Sequence, residues 1–332
     1  VHVDGGALTI SAPLNTAILG IAKGGTGDLI LSGTRAATMS GAIGIAGGNI
    51  EFRGATTTLS GLITGGGGII VNLNAGQTLA LSNSSNTFSG NILVKGGIFS
   101  IGTAFNAHGL PSAPGTGNTA GGNGNPAGIA GGMNNIELNG GIVTWPYTFA
   151  RSLGTGSDQL QITGGTSGFS GSNLGGGFQI GSSTSYEVMW GSDYFKPTTL
   201  VLQDATNTAG LLNFSNKIDL NGATRTVAVN SILATNGATI SGVIRDSVGG
   251  AGLTKTGVGQ LSLSGTNTYT GANTISEGTL LFKNQVSLYN NAPASWTAAN
   301  IKVESTGTLG LNVGGTGQFT NSDVTTLLTN LG

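Results

Sequence analysis

The stretch Gly252–Leu280, GLTKTGVGQLSLSGTNTYTGANTISEGTL, decides the fold. Apolar residues alternate with Thr and Ser in runs of four to six positions, and Gly or Asn stands where the chain must change direction. Glycine suits such corners because it takes positive φ without penalty, while Asn tolerates that conformation and bonds its own backbone. Gly68–Phe99, GIIVNLNAGQTLALSNSSNTFSGNILVKGGIF, repeats the pattern. Leu79 and Leu81 match Leu261 and Leu263, and one residue is then inserted. Asn86, Phe88, Gly90, Val94, Gly97 and Phe99 next match Asn267, Tyr269, Gly271, Ile275, Gly278 and Leu280. Upstream, Leu59–Ile63 (LSGLI) parallels Ile240–Ile244 (ISGVI), with a weaker echo at Met39–Ile43 (MSGAI). Fixed-period self-similarity is the signature of a solenoid. One such unit cannot bury its apolar face alone; stacking buries it, with each strand hydrogen-bonded to the rungs on either side.

Working outward, short β-branched runs recur along the chain, among them Leu29–Leu31, Asn49–Arg53, Ile92–Lys95, Ile136–Leu138, Leu160–Thr163, Leu200–Gln203, Thr226–Asn230 and Ile301–Glu304. Helical periodicity is confined to Ser322–Leu331, where Asp323 can cap a turn carrying Leu327, Leu328 and Leu331. Phe105–Asn135 holds three of the seven prolines and many Gly, Asn and Ala, and reads as an excursion loop from one face. The expected division is therefore solenoid repeats over 1–104, the Gly/Pro-rich loop over 105–135, a less regular β spacer over 136–239, and C-terminal repeats with a short helical segment over 240–332.

Composition agrees with an ordered, extended chain. Of 332 residues 62 are Gly, which alone could signal disorder, but 38% are apolar and the mean hydropathy is positive. Twelve basic and thirteen acidic residues are spread thinly, giving a net charge of −1. No Lys/Arg cluster offers the footprint that nucleic acid demands. The absence of Cys removes disulfides, thiol catalysis and thiolate metal sites together. No stretch approaches the roughly 20 continuous apolar residues of a membrane span. Residue 1 is Val and no signal region opens the chain, so a portion of a longer exported precursor is expected.

Gly252–Leu280 resembles the autotransporter-associated beta strand repeat, a passenger-type repeat of secreted bacterial surface proteins. The resembling residues are Gly-Leu-Thr-Lys-Thr-Gly at 252–257, Leu-Ser-Leu-Ser-Gly at 261–265, Asn-Thr-Tyr-Thr-Gly at 267–271 and Glu-Gly-Thr-Leu at 277–280. More loosely, Arg151–Gly154, Gly168-Phe169, Trp190-Gly191 and Leu220–Val229 resemble the spacer between such repeats in large surface proteins of planctomycete- and verrucomicrobia-like bacteria. The resemblance implies a right-handed parallel β-helix, an extracellular or cell-surface location, and no catalytic residues to carry over.

Some β-helices degrade polysaccharides, and such chemistry needs carboxylates converging with each other or with a cation. Asp193, Lys196, Asp204 and Arg225 are the best candidates, and a solvated-surface role is the favoured reading for them. His2 and His108 have no ligand partners nearby in sequence, and Gly24–Asp28 (GGTGD) lacks the spacing and tandem repetition of a calcium nonapeptide, so no metal or cofactor is assigned. Tyr186–Phe195 (YEVMWGSDYF) is the densest aromatic stretch. Trp190, Tyr194 and Phe195 are its candidate contacts for glycan or protein, against the favoured alternative that they fill the solenoid where its rungs change shape. Trp145-Pro146-Tyr147 is read the same way. Function is expected to be that of an extracellular structural solenoid in a surface fibre, layer or matrix, self-associating head-to-tail or laterally. An adhesin or glycan-binding module engaging surface glycans is the alternative, and a polysaccharide-active enzyme the least favoured reading.

Overall fold

The computed structural model describes residues 1–15, 17, 20–101, 120–121, 125–126, 134–145, 149–157, 159–171, 177–181, 186–207, 210–232 and 237–332. Most of the Gly/Pro-rich excursion expected at 105–135 thus lies outside the described residues. The chain divides into two compact units, Val1–Phe169 and Ser170–Gly332. Each is a right-handed parallel β-solenoid, with three strand-bearing sides per rung.

In Val1–Phe169 one side is a seven-stranded parallel sheet: Ala7–Ile10, Asp28–Leu31, Asn49–Arg53, Gly68–Asn72, Ile92–Gly96, Ile136–Asn139 and Leu160–Gly164. A second side stacks Ile21–Lys23, Ile43–Ile45 and Ile63–Thr64. A third includes Thr38–Met39, Thr57–Leu59, Thr78–Leu81, Ile98–Ile101 and Ile142–Trp145. Alternation along each strand sends every second residue inward. Register then stacks like on like: Leu29, Ile50, Ile69, Ile92, Ile136 and Leu160 form one continuous inward ladder. Leu31, Phe52, Val71, Val94, Leu138 and Ile162 form a second, and all twelve side chains are buried. Burial of each such residue is worth ~1.5–3 kcal/mol, so the ladders are what hold successive rungs together. The echoes Met39–Ile43 and Leu59–Ile63 are adjacent rungs, with Met39 opposite Leu59 and Ile43 opposite Ile63.

In Ser170–Gly332 the sides are built alike. Gly177–Ile180, Leu212–Phe214, Ala238–Ile240 and Gln260–Leu263 run up to the second half of Asn273–Phe282 and then to Ile301–Leu311. Glu187–Met189, Lys217–Asp219 and Ile244–Arg245 make the second side. Thr199–Leu202, Arg225–Ala228 and Leu253–Thr256 make the third, continued by the first halves of Asn273–Phe282 and Ile301–Leu311.

Two features of this unit run against local preference. Lys255 occupies an inward ladder position between Val227 and Ile275 and is buried. Its Nζ turns toward the corner and donates to the carbonyls of Gly257 (2.6 Å), Thr256 (2.8 Å) and Glu277 (3.0 Å). Gln203 adopts φ +83° at a corner where Gly257 and Gly278 stand on other rungs. A buried network supports that strain. Gln203 Oε1 accepts from Ser170 Oγ (3.0 Å), Gly171 N (2.9 Å) and Asn207 Nδ2 (2.6 Å), while its Nε2 donates to the Gly210 carbonyl (2.7 Å).

The C-terminal helix spans Asn321–Leu331, one residue longer than the sequence pattern gives. Thr320 is its cap, not Asp323: Thr320 Oγ1 accepts from the Asp323 amide, and the Asp323 carboxylate accepts from the Thr320 amide. Asp323 therefore sits at the third helical position of a capping box.

Candidate functional site

The two recognisable repeats show what their shared residues do. Asn86 and Asn267 are buried at equivalent corners, and each Oδ1 accepts the amide hydrogen of a residue one rung earlier: Ile63 at 2.8 Å and Ile244 at 2.9 Å. Asn267 also donates to the Ser287 carbonyl (2.8 Å), linking three successive rungs. Phe88 and Tyr269, two positions on, are buried beneath the corner. These are structural roles, so candidate contacts must be sought among outward side chains.

The aromatic stretch divides sharply. Trp190 and Phe195 are buried against each other, edge to face at 5.5 Å, and the indole N–H donates to the Pro197 carbonyl (2.9 Å). Arg225 lies over the indole at 5.7 Å and donates to the Trp190 and Leu220 carbonyls at 3.0 and 2.9 Å. Tyr194 is exposed, as is Tyr186 at the other end of the stretch. In Val1–Phe169, Trp145 is likewise buried, with its ring centroid 4.8 Å from that of Phe149.

The four residues weighed as catalytic candidates do not converge. Asp193 and Lys196 are exposed on the turn, as expected. Asp204 and Arg225 depart from the surface reading. Asp204 is buried, its Oδ1 accepting from the Thr206 amide (2.6 Å) and hydroxyl (2.5 Å) to close a tight turn. Arg225 is half-buried over Trp190, and burial pushes its pKa down. His2 pairs with Asp4 at 3.0 Å on the surface, and His108 lies outside the described residues. Asp28, the acid of the GGTGD stretch, accepts from the Asn49 amide (3.1 Å) and side chain (2.8 Å) on the next rung. No group of three His, Cys, Asp or Glu able to hold a metal occurs among the described residues.

Sequence spacing gave no sign of the cluster on the outward face of Glu187–Met189, Lys217–Asp219 and Ile244–Arg245. Register places Glu187 beside Lys217, and Met189 beside Asp219 and then Arg245. Arg245 reaches across two rungs to grip Glu187 with Nε (2.5 Å) and Nη2 (2.6 Å), and Nη2 also meets the fully buried Asp219 Oδ2 at 3.0 Å. The bond to Glu187 and the charges of both acids raise the Arg245 pKa. Burial alone would raise Asp219, but amides of Ser247 (3.0 Å) and Asn221 (2.9 Å), together with Arg245, hold its carboxyl below the usual range. Both carboxylates are thus committed to one cation. Asp219, held ionised near neutral pH, is unsuited to general acid chemistry. What the face can do is bind: Glu187, Lys217, Val243 and Arg245 line a shallow groove of about 410 Å³. Met189 and Tyr186 are exposed beside Glu187.

Comparison with known proteins bears on the repeats and the fold. The passenger-associated-transport-repeat model matches residues 76–101 and 253–282. The Adhesin BmaC autotransporter of Brucella suis biovar 1 (strain 1330) is 30% identical over 253 residues, covering 65% of this chain. The chain spans only 7% of that relative's length. No solved structure matches the chain. Among the described residues no helix is long and apolar enough to cross a membrane. The chain is an extracellular or cell-surface β-solenoid with two stretches similar to the passenger-associated transport repeat.

Proposed function

We propose that the chain is a non-enzymatic adhesive segment of a surface-displayed solenoid, and that its Ser170–Gly332 unit contacts saccharide through the groove at Arg245. The observation that carries this reading is the Glu187–Arg245–Asp219 cluster. It fixes Glu187 and Arg245, braced by the fully buried Asp219, on an outward sheet face beside Lys217 and the exposed Tyr186. Saccharide recognition pairs such polar forks with aromatic rings that stack on the apolar face of the sugar. The Tyr186 ring is set for this: it lies against Gly181, where an added Cβ would stand 3.6 Å from the ring. The similarity to an adhesin supports the same reading.

A glycan array probed with the whole chain tests it. Tyr186→Ala and Lys217→Ala should each lower binding at least tenfold while leaving the thermal melt unchanged. Tyr194→Ala reports separately on the turn that carries the other exposed aromatic. Full binding retained in both groove variants would sink the assignment. Trp190→Ala is the wrong probe, because removing a buried indole costs ~3–5 kcal/mol of stability whatever the residue binds.

A further inference from the structure

The charge held at the Arg245 groove decides which saccharides suit it. Lys217 and Arg245 stand against Glu187 and Asp219, and both acids are bonded to the same guanidinium. Asp246, next in the chain, is a third carboxylate whose charge also acts on Arg245. Burial alone would raise its pKa, but amides of Ala251 (2.8 Å) and Gly222 (2.7 Å) hold it below the usual range, so it is ionised near neutral pH. Three carboxylates against two cations leave one net negative charge. Such a surface gives an anion no net attraction. To gain the Arg245 fork, a carboxylate or sulfate would have to displace Glu187 from a two-point, charge-assisted grip. Lys217 is exposed, but it stands in register beside Glu187, so an anion on its ammonium also faces that carboxylate.

Neutral hydroxyls meet the opposite situation. An ionised carboxylate has about four acceptor sites on its two oxygens, and an ammonium has three donors. The two bonds from Arg245 therefore leave each Glu187 oxygen able to accept again. Neighbouring strands lie ~4.8 Å apart, so Glu187 and Lys217 offer an acceptor and a donor at a spacing that two adjacent hydroxyls of one sugar ring can bridge. One hydroxyl donates to Glu187 while its neighbour accepts from Lys217.

The apolar wall is fixed by a separate device. The Tyr186 carbonyl accepts from the buried Asn216 Nδ2 (3.1 Å), and Asn216 Oδ1 accepts from the Ile180 amide (2.6 Å). Asn216 immediately precedes Lys217, and Tyr186 immediately precedes Glu187. One buried side chain thus sets where both strands enter the face. Met189 is exposed two residues beyond Glu187. The groove therefore combines an exposed ring, an acceptor and a donor that are all held in place before any ligand arrives, which keeps the ordering cost of binding low.

We propose that the groove takes an uncharged sugar ring, holding two vicinal hydroxyls between Glu187 and Lys217, and that it discriminates against sugars bearing carboxylate or sulfate. This rests on the saccharide reading of the same groove and names the class of saccharide. Glu187 sets the discrimination, because its charge both occupies the Arg245 fork and opposes an anion at Lys217.

The whole chain, probed on an array, provides the test. The array pairs neutral hexose oligosaccharides with the same backbones carrying uronic acid or sulfate, and with deoxy analogues lacking one hydroxyl of a vicinal pair. Neutral sugars should bind about tenfold or more tighter than their charged counterparts, and loss of one hydroxyl should cost a similar factor. Binding should change little as salt rises, since no net charge is neutralised. Glu187→Gln, checked for folding by its thermal melt, should reduce the preference for neutral sugars about tenfold; a uniform loss across all sugars would overturn the part given to the Glu187 charge. Charged counterparts bound as tightly as neutral ones, still weakened by Tyr186→Ala and Lys217→Ala, overturn this inference and leave the saccharide reading standing. Binding that neither groove variant lowers, or no binding at all, overturns the saccharide reading and this inference with it.

Discussion

Replacing Asn267 by Ala should weaken three rungs at once. Its side chain is buried, accepts the Ile244 amide hydrogen at 2.9 Å and donates to the Ser287 carbonyl at 2.8 Å. Alanine leaves both backbone groups without that partner in a region where Ile244 and Ser287 are themselves buried. Each orphaned group costs ~1–3 kcal/mol, and about 1 kcal/mol of side-chain entropy is recovered, so the net loss is about 1–5 kcal/mol. Solenoid rungs open locally, which makes amide exchange at Ile244 the sharpest readout, supported by denaturant melts. Asn267→Asp separates the two bonds. Its carboxylate can still accept from Ile244 but faces a carbonyl at Ser287, and burial raises its folded pKa above the unfolded value of about 3.9. Below that value the protonated acid donates to Ser287; stability is lost as pH rises through the folded pKa. The Asp variant should therefore lie closer to wild type near pH 4 than near pH 7. An Ala variant within about 0.5 kcal/mol of wild type, with Ile244 still protected, would refute the reasoning.

Gly278→Ala and Gly314→Ala should differ although both glycines have positive φ, +66° and +95°. Both substitutions incur the left-handed penalty of ~1–2 kcal/mol, but a Cβ at Gly278 would sit 2.5 Å from the Gly257 and Gly259 carbonyl oxygens, while nothing lies within 4 Å of one at Gly314. Equal losses in a thermal melt would contradict the close rung approach at Gly278. Burial pushes the Lys255 pKa down to about 8, with Glu277 opposing. Between about pH 8 and 10 the unfolded chain binds a proton that the folded state has released, so stability should rise by at most ~1.4 kcal/mol per pH unit. Lys255→Met should flatten that rise. Above about pH 10 the trend reverses, because burial raises Tyr269 and also Tyr289, the latter to about 12, and their unfolded forms ionise first. A wild type that loses stability steadily from pH 8 would count against the buried ammonium.

The solenoid was legible because its information is local and periodic. Alternation at Leu79/Leu81 and Leu261/Leu263, and the Asn-to-aromatic spacing at Asn86/Phe88 and Asn267/Tyr269, each report a rung directly. The cluster at Arg245 was not legible, because Glu187 lies 58 residues away and only the stacking register brings the two together. Lys23 and Lys255 were overlooked for a different reason: a cation in an alternating strand reads as outward, while here the long stem fills a ladder and the ammonium reaches the corner carbonyls. Gly20–Leu31 (GIAKGGTGDLIL) and Gly252–Leu263 (GLTKTGVGQLSL) hold the two lysines at the same spacing from their glycines. Trp190 and Phe195 could be placed only once the Pro197 carbonyl and Arg225 were seen to enclose the indole.

The inward cations also set how the chain meets a protease. A trypsin-like enzyme needs a Lys or Arg side chain in extended, accessible backbone, and the chain has only twelve. Lys23, Arg35, Arg151 and Lys255 are buried. Each directs its cationic end onto main-chain carbonyls, as with Arg35 on Leu31 (2.8 Å) and Arg151 on Asn134 (2.6 Å). Cleavage at these four positions requires the surrounding rung to open first. Digestion there proceeds at the pace of rung opening, so the folded solenoid hides four of its twelve Lys and Arg side chains from trypsin.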